Sequence, residues 1–162
     1  MKKVPLSRGE FALVDDCDFE LVSQHTWQCH VDPKSGRKYA VCHIWVGGER
    51  KTMQMHRLIL WHASEHTDHK DGNGLNNQRC NIRPATRIEN GQNRKLQDHS
   101  APFKGVHLLK ANNSWTAYIR VNRVKKHLGT FKTAREAAHA YDSAAILHFG
   151  QFARTNQQIG AL

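Results

Sequence analysis

Residues 67–90 bring together the side chains best suited to chemistry: an Asp–His pair, Asp68 and His69, followed by Asn81 and Asn90. Carboxylate and amide oxygens are hard ligands that suit Mg²⁺ or Mn²⁺ better than Zn²⁺. A histidine beside such a metal takes a proton from water, because its pKa lies near the working pH. These residue types predict Asp68 and Asn90 as metal ligands and His69 as general base. Asn81 is a candidate for the hydrogen bond that orients the imidazole.

A strand, a loop, a second strand and a helix would bring these four residues together. Residues 67–69 end the first predicted strand and residues 81–84 belong to the second, with a Gly/Asn-rich loop between them. Thr86 and Glu89 have the spacing of a capping box, which predicts a helix from residue 86 with Asn90 in its first turns. The alternative is an ordinary polar loop, since asparagine clusters usually form turns.

The net charge of +10 is unevenly distributed along the chain. Residues 1–69 hold nine Lys/Arg and nine Asp/Glu, whereas residues 70–162 hold fifteen and five. A positive field confined to one part of a protein favours a polyanionic partner. The alternative is a merely soluble basic protein. No run of eighteen apolar residues is present, so the sequence predicts no membrane span, and the N-terminus lacks the apolar segment of a signal peptide.

The four cysteines contain no C-x-x-C pair, the spacing that zinc and redox sites usually need. We therefore expect free thiols in a reducing cytoplasm and no structural zinc. Most of the twelve histidines are scattered singly, which is typical of surface or packing positions.

The pattern of apolar runs predicts an α+β protein with two domains. From residue 11 to 53, short strand-length runs are separated by acidic and glycine-containing turns, which predicts an N-terminal β-meander. Residues 1–95 form the first predicted domain, 96–102 a polar linker, and 103–157 the second domain. The second domain reads as a small three-stranded antiparallel sheet packed on one helix, with a capping box at Thr133 and Glu136.

Basic and aromatic side chains near the first site and in the second domain are candidates for DNA contacts. They are Arg83, Arg87, Arg94, Lys95, Lys104, His107, Trp115, Arg120, Arg123, Lys125 and Lys126. For Trp115 a place in the core is an equal alternative.

The segments MHRLIL, DGNGLNN and NIRPATRIEN around the Asp–His pair resemble the HNH endonucleases, in particular phage-type homing enzymes with asparagine in the last motif position. The resemblance covers the first hundred residues and implies a ββα-metal motif at about 66–95. It implies that His69 is the general base and that Asp68 and Asn90 hold the metal. It also implies that Asn81 orients His69.

His56 matches a histidine common in those enzymes, for which packing or a phosphate contact is expected. The cysteine pairs that bind zinc in some of them are missing here.

Residues 103–157 resemble the ethylene-response-factor (apetala-two type) DNA-binding domain. The matching segments are FKGV, WTAYIR, LGTF, EAA, AYD and ARTN. The resemblance implies a three-stranded sheet whose exposed face enters a DNA major groove. His107 and His127 depart from the residues usual in that family, so no base preference is transferred.

These observations predict a sequence-specific, metal-dependent DNA endonuclease of the homing type that cuts with His69-activated water. One site per chain predicts a monomer that nicks one strand, with a dimer needed for double-strand cleavage. The expected partner is duplex DNA, and the expected location is the cytoplasm of a bacterial host, with a phage gene as the source. The alternative is a non-catalytic, sequence-specific DNA-binding regulator that retains an HNH fold. An RNA-directed protein is a third hypothesis.

Overall fold

The computed structural model describes residues 1–61, 66–93 and 101–162. The chain divides into two compact units, Met1–Asn90 and Gly91–Leu162. It is a mixed α/β protein with several small antiparallel sheets and, within the described residues, four α-helices. This agrees with the predicted α+β class. No helix in these ranges is long and apolar enough to cross a membrane. Residues 96–100 of the predicted linker lie outside the described residues.

The first ten regular elements build three small antiparallel sheets, in which β1 pairs with β2, β3–β4–β5 form a meander, and β6 pairs with β7. The elements are β1 Lys2–Pro5, β2 Phe11–Val14, α1 Asp16–Ser23, β3 Gln28–Val31, β4 Lys38–Val46, β5 Glu49–Gln54, α2 Met55–Ile59, β6 His66–His69, β7 Ile82–Ala85 and α3 Arg87–Gln92.

Helix α1 is a difference from the predicted meander, which had an acidic turn at this place. Asp16 and Asp18 lie in the first turn of the helix, where carboxylates interact favourably with the helix dipole. Phe19 and Val22, three residues apart, lie on one face, and Val22 is fully buried. The run of Asp residues therefore begins a helix here, and the meander is limited to β3, β4 and β5.

The core of the first unit is built from residues of β1 to β5, α1, α2 and β7 and of the loops between them, with Val14, Val22 and Met55 completely buried. Trp27 is also buried in this core, and its indole Nε1 donates a hydrogen bond of 2.8 Å to the carbonyl of Val22. This core packs β4 and α2, two of the three elements that meet at the site described below.

The second unit is a three-stranded sheet of order β10–β9–β8 with one helix packed on it. The elements are β8 Val106–Leu109, β9 Ser114–Val121, β10 Val124–Phe131 and α4 Ala134–Phe149. The predicted capping box at Thr133 and Glu136 is confirmed. Small residues on one face let α4 lie close to the sheet, and Ala137, Ala138 and Ala145 are buried there.

Two polar contacts tie the ends of the second unit together. The side chain of Asn156, which is fully buried, accepts a 2.7 Å hydrogen bond from the amide of Lys104 and donates one of 2.8 Å to Asp142 Oδ1.

Gly105 has a φ of 76°, and a Cβ there would lie 2.1 Å from a ring carbon of Tyr141. Only glycine meets both the backbone and the space requirement at this position.

Candidate active site and nucleic-acid interface

The predicted strand, loop, strand and helix around the Asp–His pair are confirmed. Strands β6 and β7 are antiparallel, with Asp68 opposite Arg83 and His69 opposite Ile82. The capping box at the start of α3 is also present: the amide of Thr86 donates to the Glu89 carboxylate at 2.6 Å, and the amide of Glu89 donates to Thr86 Oγ1 at 3.2 Å. Local sequence signals therefore place Asp68 and His69 at the end of β6.

His69 is a buried histidine, 7% exposed, whose Nε2 lies 3.4 Å from Oδ1 of Asn77. An amide oxygen only accepts hydrogen bonds, so the tautomer that forms this contact carries its proton on Nε2. Nδ1 then carries the lone pair, which is the form a general base requires. Asn77 is fully buried and was not among the predicted site residues.

Burial is the main reason why the pKa of His69 is lowered from its ordinary value. The hydrogen bond to Asn77 and the nearby carboxylates of Asp71 and Asp68 act in the opposite direction, whereas Arg37 adds to the lowering. The direction favours a neutral imidazole at pH 7, which is the proton-accepting form.

Asp68 is 4% exposed and forms a buried ion pair with Arg83. Both Nε and Nη2 of Arg83 donate to the same carboxylate oxygen, Oδ2, at 2.8 and 2.6 Å. The Arg83 side chain is only 10% exposed, so the structure places it against Asp68 and away from the protein surface. The burial of its side chain does not favour a contact of Arg83 with DNA, and that contact stays a prediction.

Asn90 is held next to the Asp–His pair by a single hydrogen bond. Its Nδ2 donates to the backbone carbonyl of Thr67 at 3.2 Å, which fixes the side chain of α3 against β6 one residue before Asp68. With Nδ2 used in this way, Oδ1 is the atom left to act as a ligand.

Asn81 holds the loop between the two strands. Its Nδ2 donates to Asp71 Oδ1 at 3.0 Å and to the Asn76 carbonyl at 2.8 Å, and its Oδ1 accepts from the amide of Asp71 at 3.1 Å. Asn81 therefore shapes the chain directly after His69. The predicted hydrogen bond from Asn81 to the imidazole stays a prediction.

The donor set around the pair fits a hard divalent cation, because Asp68 and Asn90 offer a carboxylate and an amide oxygen and Asn90 is anchored beside β6. Within residues 1–61, 66–93 and 101–162, no three His, Cys, Asp or Glu side chains are grouped so that they could hold a metal. The proposed site has two protein ligands, which suits Mg²⁺ because this ion usually keeps several waters.

On the second unit, one face of the sheet carries polar and cationic side chains. The strand register places His107, Thr116, Tyr118, Arg120, Lys125 and His127 on the face opposite α4. Lys125 Nζ lies 3.8 Å from the ring centroid of Tyr118, and the ring of His127 lies 5.1 Å from it. His107, Arg120 and Lys125, three of the predicted DNA contacts, thus share one exposed face.

Other predicted DNA contacts lie elsewhere. Trp115 packs against the core on the α4 side of the sheet, and register places exposed Lys126 on that side as well. Lys104 Nζ donates to the carbonyls of Gln92 and Arg154 at 3.0 and 3.2 Å, and burial is the main cause that lowers its pKa to about 8.

Four further candidates remain, two of which lie in the described residues. Arg123 lies in the β9–β10 turn, and Arg87 is exposed at the start of α3. Arg94 and Lys95 lie outside the described residues.

Comparison with known proteins identifies the family. The chain is 31% identical over 157 residues to an uncharacterized HNH endonuclease of Acanthamoeba polyphaga mimivirus, and the match covers 93% of this chain and 76% of that protein. The chain belongs to the HNH endonuclease family. Comparison with models of protein families found no match.

This HNH-family chain is also similar to plant transcription factors. It is 40% identical over 95 residues to an ethylene-responsive transcription factor of Arabidopsis thaliana, which covers 55% of this chain and 57% of that protein. A second such factor, from Medicago truncatula, is 42% identical over 71 residues, with 42% and 29% covered. The chain therefore spans only part of the length of these two factors.

Sequence reasoning missed three residues of the HNH site. Asn77 contacts His69, Asp71 holds Asn81, and the ring of Tyr39 lies 6.2 Å from that of His69. For Asn77 and Asp71 the sequence signal was the high density of Asp and Asn after His69. It predicted a loop but not which of the loop's side chains would contact His69. Tyr39 comes from β4 and has no local signal at all.

The buried histidines predict that the first unit of this HNH-family protein loses stability in acid. Burial, followed by the charges of His69 and Arg57, lowers the pKa of His56 from 6.5 to about 3. The unfolded chain therefore binds a proton below pH 6.5 that the folded chain binds only near pH 3, so stability is lost as the pH falls through this window. From this one group we expect a loss of about 3 kcal/mol between pH 6.5 and 4, and the shift of His69 has the same sign.

Urea unfolding at several pH values, followed by tryptophan fluorescence in a variant that keeps only buried Trp27, measures this loss. The variant His56→Phe should show a clearly smaller decrease between pH 6.5 and 4. The control His139→Phe, which changes an exposed histidine of α4, should follow the wild type. Equal slopes in the wild type and His56→Phe would contradict the prediction.

Proposed function

We propose that this protein is a metal-dependent DNA endonuclease of the homing type that hydrolyses a phosphodiester bond with water activated by His69. The observation that carries the proposal is the meeting of Asp68, His69 and Asn90 at one end of β6, in a chain of the HNH endonuclease family. The order of β6, β7 and α3 around these residues supports a ββα-metal motif.

His69 would take the proton of the attacking water at Nδ1. The contact with Asn77 supports this assignment, because it holds the imidazole proton on Nε2. The lowered pKa keeps the imidazole neutral at pH 7, so no prior deprotonation is needed. Burial also restricts the ring to one orientation.

Asp68 and Asn90 would hold Mg²⁺ or Mn²⁺. When bound, the metal supplies charge neutralisation at the scissile phosphate and the leaving oxygen. Arg83 fixes the carboxylate of Asp68 through two N–H donors on one oxygen. Asn90 is fixed by its bond to the Thr67 carbonyl, so both side chains are oriented before the metal enters.

Duplex DNA is the proposed substrate, and the exposed face of the second unit supports it. His107, Arg120 and Lys125 surround Tyr118 there, on a three-stranded sheet of the kind that a major groove admits. The similarity to ethylene-responsive transcription factors points the same way. This face would supply affinity and register for the nuclease site.

The first unit offers a second basic surface that the balanced charge of residues 1–69 conceals. A cavity of about 600 Å³ on the β3–β5 sheet is lined by the cationic or titratable side chains of Arg8, His30, His43 and Arg57, and by no Asp or Glu. Five of the nine acidic residues before position 70 lie between residues 10 and 20, on other elements. Because the acidic side chains lie elsewhere, the cavity side is positively charged, which supports contact with phosphates there.

The deciding experiment is cleavage of supercoiled plasmids that carry DNA from the host or phage of origin. We expect wild-type protein with Mg²⁺ to give open circles first, because one site per chain cuts one strand. EDTA should abolish the product, and His69→Ala prepared in parallel should lack activity. Prompt linear product at low protein concentration would exclude a monomeric nickase.

The alternative is a DNA-binding regulator that retains the HNH fold. The similarity to transcription factors is the observation that favours it. It predicts tight, salt-sensitive binding of duplex DNA by both wild type and His69→Ala, without breaks in DNA that contains the bound sequence. Such a result would overturn the nuclease proposal and leave the binding face intact.

A further inference from the structure

A second histidine lies directly against His69. The imidazole of His56, in α2, stands perpendicular to that of His69, with an interplanar angle of 86° and 5.0 Å between the ring centroids. The ring of Tyr39 lies 6.2 Å from each of them. Three separate elements, β4, α2 and β6, thus converge on one cluster of rings.

The ring nitrogens of His56 have no hydrogen-bond partner within residues 1–61, 66–93 and 101–162. His56 as a whole is 5% exposed. Such a polar group in native proteins normally has a partner, supplied by solvent or by a ligand.

We propose that His56 is a catalytic residue that donates a hydrogen bond from its ring N–H to a non-bridging oxygen of the phosphate attacked by the His69-activated water. The inference rests on the proposed nuclease function. A separation of 5.0 Å between the rings lets one imidazole contact the water and the other contact the same phosphate, each at about 3 Å.

The environment of His56 suits a neutral donor. Burial lowers its pKa to about 3, so at neutral pH the ring carries one N–H and no charge. A neutral donor in a water-poor site stabilises the negative charge that develops on the phosphate and costs little reorganisation. The packing of Tyr39 and His69 around the ring holds this donor in a fixed direction.

The test separates hydrogen bonding from packing. His56→Phe keeps an aromatic ring and removes the N–H, so we expect kcat to fall by a factor of about 10²–10³, with KM and the melting temperature close to wild type. His56→Gln restores an N–H donor and should cut at least about tenfold faster than His56→Phe. His139→Phe, on an exposed face of α4, is the matched control and should be as active as wild type.

A packing role would leave His56→Phe as active as wild type, and that result overturns the inference. Should His56→Phe lack a cooperative unfolding transition, thienylalanine at position 56 supplies a five-membered aromatic ring without N–H. Loss of kcat in that protein supports the inference, and wild-type activity overturns it. If wild type and His139→Phe also fail to cut DNA, the proposed function has failed, which distinguishes the two outcomes.

Discussion

Replacement of His69 by alanine is expected to lower the rate of DNA cleavage by a factor of about 10²–10⁴ and to leave duplex affinity nearly unchanged. The loss follows from removal of the base, because water then has to surrender its proton without an acceptor at Nδ1. Affinity should persist because the exposed cationic face of β8–β10 is untouched. Single-turnover cleavage with Mg²⁺ and fluorescence anisotropy of labelled duplex measure the two quantities.

His66 provides a matched control for this experiment. It lies in the same strand, β6, but is exposed, so His66→Ala should cleave at close to the wild-type rate. Equal losses in His66→Ala and His69→Ala would indicate a general disturbance of β6. A wild-type rate in His69→Ala would assign the proton transfer to another group.

The parts of the site that depend on neighbours in sequence were predictable. The capping box of Thr86 and Glu89 fixed the start of α3, and the Gly/Asn-rich loop fixed a reversal between β6 and β7. These signals act within a few residues, and physical rules for caps and turns are local. They were enough to bring Asn90 to the strand that carries Asp68 and His69.

The partners of these side chains were not predictable in the same way. Several asparagines follow His69, and sequence alone does not say which one meets the imidazole. The structure places Asn77 there and uses Asn81 to hold Asp71. The choice depends on how the loop packs, since Gly74 lies so close to β4 that a Cβ would be 2.4 Å from the carbonyl of Lys38.

Charge and residue type also do not reveal which side of a sheet a residue occupies. Trp115 and Lys126 were grouped with Arg120 and Lys125 as DNA contacts, yet the register puts the two pairs on opposite faces. Strand residues alternate, so one shift of register exchanges the faces completely. Lys104 was also predicted to contact DNA, but its ammonium group donates hydrogen bonds to two backbone carbonyls.

Two ion pairs of the first unit have the same chemistry but different surroundings. Asp18 is 3% exposed on its side chain and pairs with Arg79, whose side chain is 52% exposed. The side chain of Asp68 is 6% exposed and pairs with that of Arg83, which is 10% exposed. The first pair fastens the loop that follows Asn77 to α1, whereas the second lies within the proposed metal site. This contrast allows stability and metal binding to be separated.

Replacement of Arg83 by methionine is expected to lower the free energy of unfolding by about 3–5 kcal/mol, because the carboxylate of Asp68 stays buried without its cation. If Asp68 is a metal ligand, Mg²⁺ should restore part of this loss by neutralising the same carboxylate. Saturating Mg²⁺ should then stabilise Arg83→Met by about 1 kcal/mol more than it stabilises wild type. Urea unfolding with Mg²⁺ and with EDTA measures both effects.

Arg79→Met is the matched control, since it also removes an arginine from a buried aspartate. Water reaches this pair through the half-exposed Arg79, so the expected loss is smaller, about 1–3 kcal/mol. Mg²⁺ should give no extra recovery, because Asp18 is not one of the proposed metal ligands. Extra recovery in Arg83→Met alone would assign the metal to Asp68. Equal recovery in both variants would show that Mg²⁺ acts by general charge screening. Asp68 would then no longer belong to the proposed ligand set.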